Sequence, residues 1–139
     1  MDRQECESLL MRHGVKSTPN RVIVAEALSE AREPVSLSEL EEKIVSIDKS
    51  GIFRTLALFR GHHLVHVIDD GSGSARYELC HSEDEHDDDD QHLHFYCEVC
   101  RRTFCLSEVP VPEISVPQGY EVTSTNFVLH GICPECSRK

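Results

Sequence analysis

The chain lacks any apolar run of membrane-spanning length. It also lacks a signal peptide, because Met1-Asp2-Arg3-Gln4-Glu5 is acidic where such a leader is basic and then apolar. Both absences point to a cytosolic protein. No nucleophile–base pair with a supporting motif is visible, so an enzyme is not expected. Positive charge is scarce, with 14 Lys and Arg against 25 Asp and Glu, for a net charge of -11. That balance argues against nucleic acid until it is mapped. Residues 1–66 carry -1, residues 67–90 carry -9 and residues 91–139 carry -1. The excess sits in one segment, so it does not decide the partner of the N-terminal half.

At 139 residues the chain forms one domain or two small ones. Two small units would each have a thin core, and a metal staple would matter. Seven cysteines, an odd number in a reducing compartment, favour metal ligation over disulfides. Cys97-Glu98-Val99-Cys100 and Cys133-Pro134-Glu135-Cys136 are two CxxC turns in the pattern of a four-cysteine zinc site. Just before them, His92-x-His94 on a strand would put both imidazoles on one face, which suggests a second metal.

Taken in order, residues 2–13 read as a helix with Cys6, Leu9, Leu10 and His13 on one face. Cys6 reads as a buried helix cysteine. Thr18-Pro19 caps and opens a second helix that runs to about Glu30. Pro34 breaks the chain, and Ser36-Leu37-Ser38-Glu39 is a capping box for a short third helix. Asp48 caps a fourth helix to about Arg60. One side of it carries Ile52, Leu56 and Phe59; the other carries Lys49, Ser50, Phe53, Arg54 and Ala57. That second side suits a DNA major groove, and equally an ordinary solvated face. Strands at 64–70 and 75–80, joined by Gly71-Ser72-Gly73-Ser74, make a β-hairpin. Helices followed by a hairpin make a winged helix-turn-helix, in which Lys16, Arg21 and Arg76 could meet phosphates.

The expected layout is therefore α+β: a winged-helix DNA-binding domain over 1–81, an acidic linker over 82–91 and a small α/β dimerisation domain over 92–139. The acidic run reads as a solvated connector or as a tract that draws cations towards the histidines. After it, strands are expected at 92–97, 103–106 and 120–130, with a helical turn in the tail. So few elements cannot bury much, and this half should pair with a second copy in a homodimer.

Four stretches resemble the ferric uptake regulator (Fur) family in the order that family has them. They are Gly14-Val15-Lys16-Ser17-Thr18-Pro19-Asn20-Arg21, Ser50-Gly51-Ile52-Phe53-Arg54-Thr55-Leu56, Gly73-Ser74-Ala75-Arg76-Tyr77-Glu78-Leu79, and His92-x-His94-x-x-Cys97-x-x-Cys100 with Cys133-x-x-Cys136. The resemblance implies a homodimeric, metal-dependent transcriptional repressor that binds a palindromic operator in double-stranded DNA. It implies a structural zinc on Cys97, Cys100, Cys133 and Cys136, and a regulatory metal at the hinge between domains.

Iron- and peroxide-sensing members place a histidine before the third helix, where this chain has Arg32-Glu33-Pro34-Val35. They place a carboxylate five residues after the first knuckle, where this chain has Cys105, and a further histidine where it has Thr125. Zinc-sensing members instead place a cysteine just after the wing, as Cys80 is here. Cys80, His92, His94 and Asp69 (or His66) would form a tetrahedral site that favours zinc over Fe(II) or Mn(II). Glu78 competes as a ligand, because it occupies the carboxylate position of the iron-type site. The expectation is a zinc-uptake-regulator-like repressor of metal homeostasis genes, with an iron- or peroxide-responsive regulator as the alternative. Gly51 and Phe53 depart from the family's Thr and Tyr, which leaves room for a zinc-ribbon adaptor without DNA binding. An open fourth position would allow a zinc hydrolase. Metal binding by Cys105 or by the acidic loop 83–90 stays open.

Overall fold

The computed structural model describes residues 1–79, 93–106, 108–123 and 125–138. The acidic segment, Cys80 and His92 lie outside the described residues. The chain divides into two compact units, Met1–Asp90 and Gln91–Lys139.

The first unit opens with α1 (Arg3–Arg12), whose N-terminus is capped by the Asp2 carboxylate. α2 (Pro19–Glu30) follows, with the Thr18 hydroxyl accepting from the Arg21 amide. Ser36 and Glu39 form the reciprocal capping box of α3 (Leu37–Lys43). Asp48 caps α4 (Lys49–Gly61) by accepting from the Gly51 amide at 2.8 Å. Each cap satisfies backbone donors that have no partner inside the helix, and so fixes where the helix begins. On the apolar faces, Cys6, Leu9 and Leu10 of α1, Leu40 of α3, and Ile52, Leu56 and Phe59 of α4 are buried, while Leu37 at the start of α3 is partly buried.

The wing is a three-stranded antiparallel sheet, not a bare hairpin. β1 (Val35–Ser36), β2 (Val65–Ile68) and β3 (Arg76–Leu79) lie in the order β1-β3-β2. β1 was not expected. It is a two-residue strand just after Pro34, and Val35 pairs with Tyr77. This pairing ties the start of α3 to the wing.

Gly51 has a structural reason. A Cβ there would lie 2.8 Å from the Asp48 carboxylate and 2.8 Å from the Ile47 side chain. A side chain there would require these two side chains to shift, so the glycine leaves room for the cap.

The second unit is a three-stranded sheet in the order β5-β4-β6, from β4 (Leu93–Cys97), β5 (Thr103–Leu106) and β6 (Val128–Gly131), followed by the helical turn α5 (Pro134–Ser137). β4 runs antiparallel to β5 and parallel to β6. The long third strand expected at 120–130 is only its last part, Val128–Gly131. The described residues from Tyr120 to Phe127 form no strand.

Candidate functional site

The four cysteines are carried to one point by two turns. Across the first, the Cys97 amide donates to the Arg102 carbonyl at 3.0 Å and the Arg101 amide to the Cys97 carbonyl at 2.8 Å. Arg101 takes φ 63°, a left-handed conformation that a non-glycine residue adopts at some cost. The second turn begins at Cys133, the N-cap residue of α5, and the Glu98 amide donates to the Gly131 carbonyl at 2.8 Å just ahead of it. Gly131 lies so close to the Phe95 ring that an added Cβ would sit 3.0 Å from it.

The Sγ atoms of Cys97, Cys100, Cys133 and Cys136 all lie within 4.8 Å of one another. Zinc–sulfur bonds of about 2.3 Å in a tetrahedron put the sulfurs about 3.8 Å apart. Cys100 Sγ and Cys133 Sγ are 3.8 Å apart. The donor set, the buried position of Cys97 and Cys133, and this spacing fit a closed tetrahedral thiolate site with no open position for a catalytic water.

The electrostatics agree with a site built for anions. Burial pushes the Cys97 thiol up, but the backbone N–H groups of Cys100, Cys133 and Val99 outweigh it and hold the thiol down at about 6. The Cys100 and Cys133 amides reach Cys97 Sγ at 3.5 and 3.4 Å. Cys136 is pushed up to about 12, first by burial and then by the neighbouring thiols. Four sulfurs this close cannot all ionise without a cation, and a divalent metal supplies it.

The residues expected to face DNA take two kinds of position. Lys49, Ser50, Phe53 and Arg54 are exposed on one face of α4, opposite the buried Ile52, Leu56 and Phe59. Phe53 is 53% exposed. Lys16 is exposed before α2, and Arg21 donates to its carbonyl at 2.8 Å. Arg76 differs. Its side chain is 15% exposed and donates to Asp70 at 3.0 Å and to Glu39 at 2.8 Å, with the Asp70 side chain fully buried. Its charge is committed to holding the wing to α3. The pairing could not be read from sequence, since Glu39 lies 37 residues away.

Arg60 was missed. It lies on the exposed face of α4 and, with Phe53, Ala57, His63, Val67 and Tyr77, lines a groove of about 440 Å³ between that helix and the wing. Its spacing of seven from Phe53 was the available signal.

Of the residues expected to hold a regulatory metal, Cys80 and His92 are outside the described residues. Asp69 is exposed in the wing turn and accepts from the Gly71 amide at 3.1 Å. Glu78 is on β3, opposite His66 on β2. His94 is buried on β4, at 5% exposure, and faces Cys105 across the β4–β5 ladder.

A winged helix with a cationic helix face, joined to a unit with a four-thiol metal site, defines a metal-dependent DNA-binding regulator. Residues 12–132 match the ferric uptake regulator family, and the chain belongs to that family. It is 24% identical to the peroxide operon regulator of Bacillus subtilis (strain 168), over 98% of this chain and 94% of that protein. It is 28% identical to the ferric uptake regulation protein of Synechococcus elongatus, over 93% of this chain and 90% of that protein. Among solved structures, a zinc uptake regulator complexed with zinc and DNA aligns with TM-score 0.66 and 19% identity, covering 98% of this chain and 93% of that one. The protein is a metal-responsive transcriptional regulator of this family, not an enzyme. No helix among the described residues is long and apolar enough to cross a membrane.

Proposed function

We infer that this repressor responds to zinc. Cys97, Cys100, Cys133 and Cys136 hold a structural zinc. A second, regulatory zinc draws on Cys80, His92 and His94, with an oxygen donor from Asp69 or Glu78. The observation that carries the reading is the donor chemistry. Thiolate and imidazole ligands favour zinc over Fe(II) and Mn(II), and the histidine expected of an iron site is replaced by the run Arg32-Glu33-Pro34-Val35.

The protein acts as a homodimer on a palindromic operator. Ile114, Tyr120, Val122, Leu129 and Ile132 are each at least 50% exposed, an apolar surface suited to a second copy. α4 enters the major groove with Lys49, Ser50, Phe53 and Arg54, while Lys16 and Arg21 meet phosphates. Metal binding favours one arrangement of the DNA-binding domains by its differential affinity for that arrangement.

The test is a mobility-shift titration of an operator library with Zn(II), Fe(II) and Mn(II). Tight, zinc-specific binding to a palindrome is expected. Activation by Fe(II) or Mn(II) alone would replace this reading with the iron- or peroxide-responsive one. That second reading has its own support in the two relatives above and in Glu78 at the carboxylate position of the iron-type site.

A further inference from the structure

We propose that Cys105 is a metal ligand, supplying a thiolate beside His94 on one face of the β4–β5 ladder. The inference rests on the regulatory-metal reading above and extends its ligand set.

The geometry begins with register. His94 pairs with Cys105, Phe95 with Phe104 and Tyr96 with Thr103. Residues directly opposite in an antiparallel pair project to the same side, with Cβ atoms about 5 Å apart. His94 and Cys105 therefore share a face, and their ligating atoms lie within 4.8 Å of each other. The opposite face of the same ladder carries Leu93, Phe95, Phe104 and Leu106. The sheet thus separates an apolar side from a side with metal-ligating groups.

Accounting for the thiols leads to the same residue. Six cysteines lie among the described residues. Four form the zinc cluster, and Cys6 is fully buried in the apolar core of the first unit. Cys105 is half-buried, outside both groups, and set against a histidine that is 5% exposed. A core thiol would be expected among apolar side chains, not opposite a buried imidazole.

An imidazole and a thiolate close enough to share one ion form a borderline-soft donor pair. It suits Zn(II) or Co(II) and suits Fe(II), Mn(II) and Mg(II) poorly. The family's carboxylate at this position would be a harder donor. The change to cysteine therefore makes metal selectivity a property of this strand, not of Cys80 alone.

The experiment uses full-length protein carrying its structural zinc, titrated anaerobically with Co(II). A thiolate ligand gives a near-ultraviolet sulfur-to-cobalt charge-transfer band whose intensity follows the number of thiolates. Wild type should show the band on binding one further cobalt per chain. Cys105→Ser should lose a large part of it and weaken cobalt binding by about tenfold or more. Cys105→Asp should retain cobalt without that part of the band, and should shift preference towards Mn(II). Zinc content and circular dichroism confirm that each variant is folded. A full band and unchanged affinity in both variants, with the band abolished in Cys80→Ser, would overturn the proposal and leave the regulatory-metal reading standing. Absence of any further cobalt in wild type would overturn both.

Discussion

The two units reach a folded state by different means. The first has a contiguous apolar core that runs from Cys6, Leu9 and Leu10 through Val24 and Ala25 to Phe59, Leu64 and Tyr77. In the second, the buried apolar residues among those described are Leu93, Cys97 and Cys133, two of them cysteines of the four-thiol cluster. Its larger apolar side chains, such as Tyr120 and Ile114, face outwards. Burial drives the first unit. The second gathers four thiols able to hold a metal where a larger core would be, and leaves its apolar side chains exposed. The first unit therefore needs no metal to bury its core.

The largest effect that would break this contrast comes from the cluster. Cys97→Ser or Cys133→Ser should remove the structural zinc and unfold or monomerise the second unit, because binding at such a site supplies much of its folding free energy. Sedimentation and zinc analysis check this; a folded, zinc-free dimer would remove the distinction.

The reciprocal perturbation is Phe59→Ala. Phe59 is fully buried on α4, and truncation should cost about 3–5 kcal/mol. Denaturant melts should show the first unit destabilised while zinc content per chain is unchanged.

A smaller but sharper effect is expected at the wing. Arg76→Ala leaves the fully buried Asp70 carboxylate without its guanidinium partner and should cost about 3 kcal/mol of stability in the first unit. An unchanged melt with weakened DNA binding would return Arg76 to the phosphate contacts.

The smallest effect on stability belongs to Arg54, exposed on α4. Arg54→Ala should leave the melt and metal content alone. It should weaken operator binding by about 1–3 kcal/mol if it reads a base, or lower the salt slope by about 1 if it meets a phosphate. Unaltered binding would take α4 out of the DNA interface.

Much of the first unit was legible because its instructions are local. Thr18-Pro19, the Ser36/Glu39 box and Asp48 each announce a helix start within four residues, and the buried faces follow the helical period. What escaped was set by distant partners. Val35–Ser36 becomes a strand only because Tyr77 and Arg76 lie beside it. Arg76 looks like a free cation until Asp70 and Glu39 close on it.

In the second unit the cysteines announced the cluster, but alternation misled over 120–130. Among the described residues of that segment, strand pairing begins only where Val128 meets His94. The His94–Cys105 pairing was within reach. Both strands were expected at nearly their observed bounds, and folding them across the Cys97–Cys100 turn sets the register.

The most direct test of the contrast is amide hydrogen exchange on full-length protein, with its zinc and after chelation. Protection in α1, α2 and α4 should survive chelation, while protection in β4, β5 and β6 should collapse towards that of an unfolded chain. Equal loss in both units, or persistence of protection in β4–β6 without metal, would contradict the account of one half held by its core and the other by its metal.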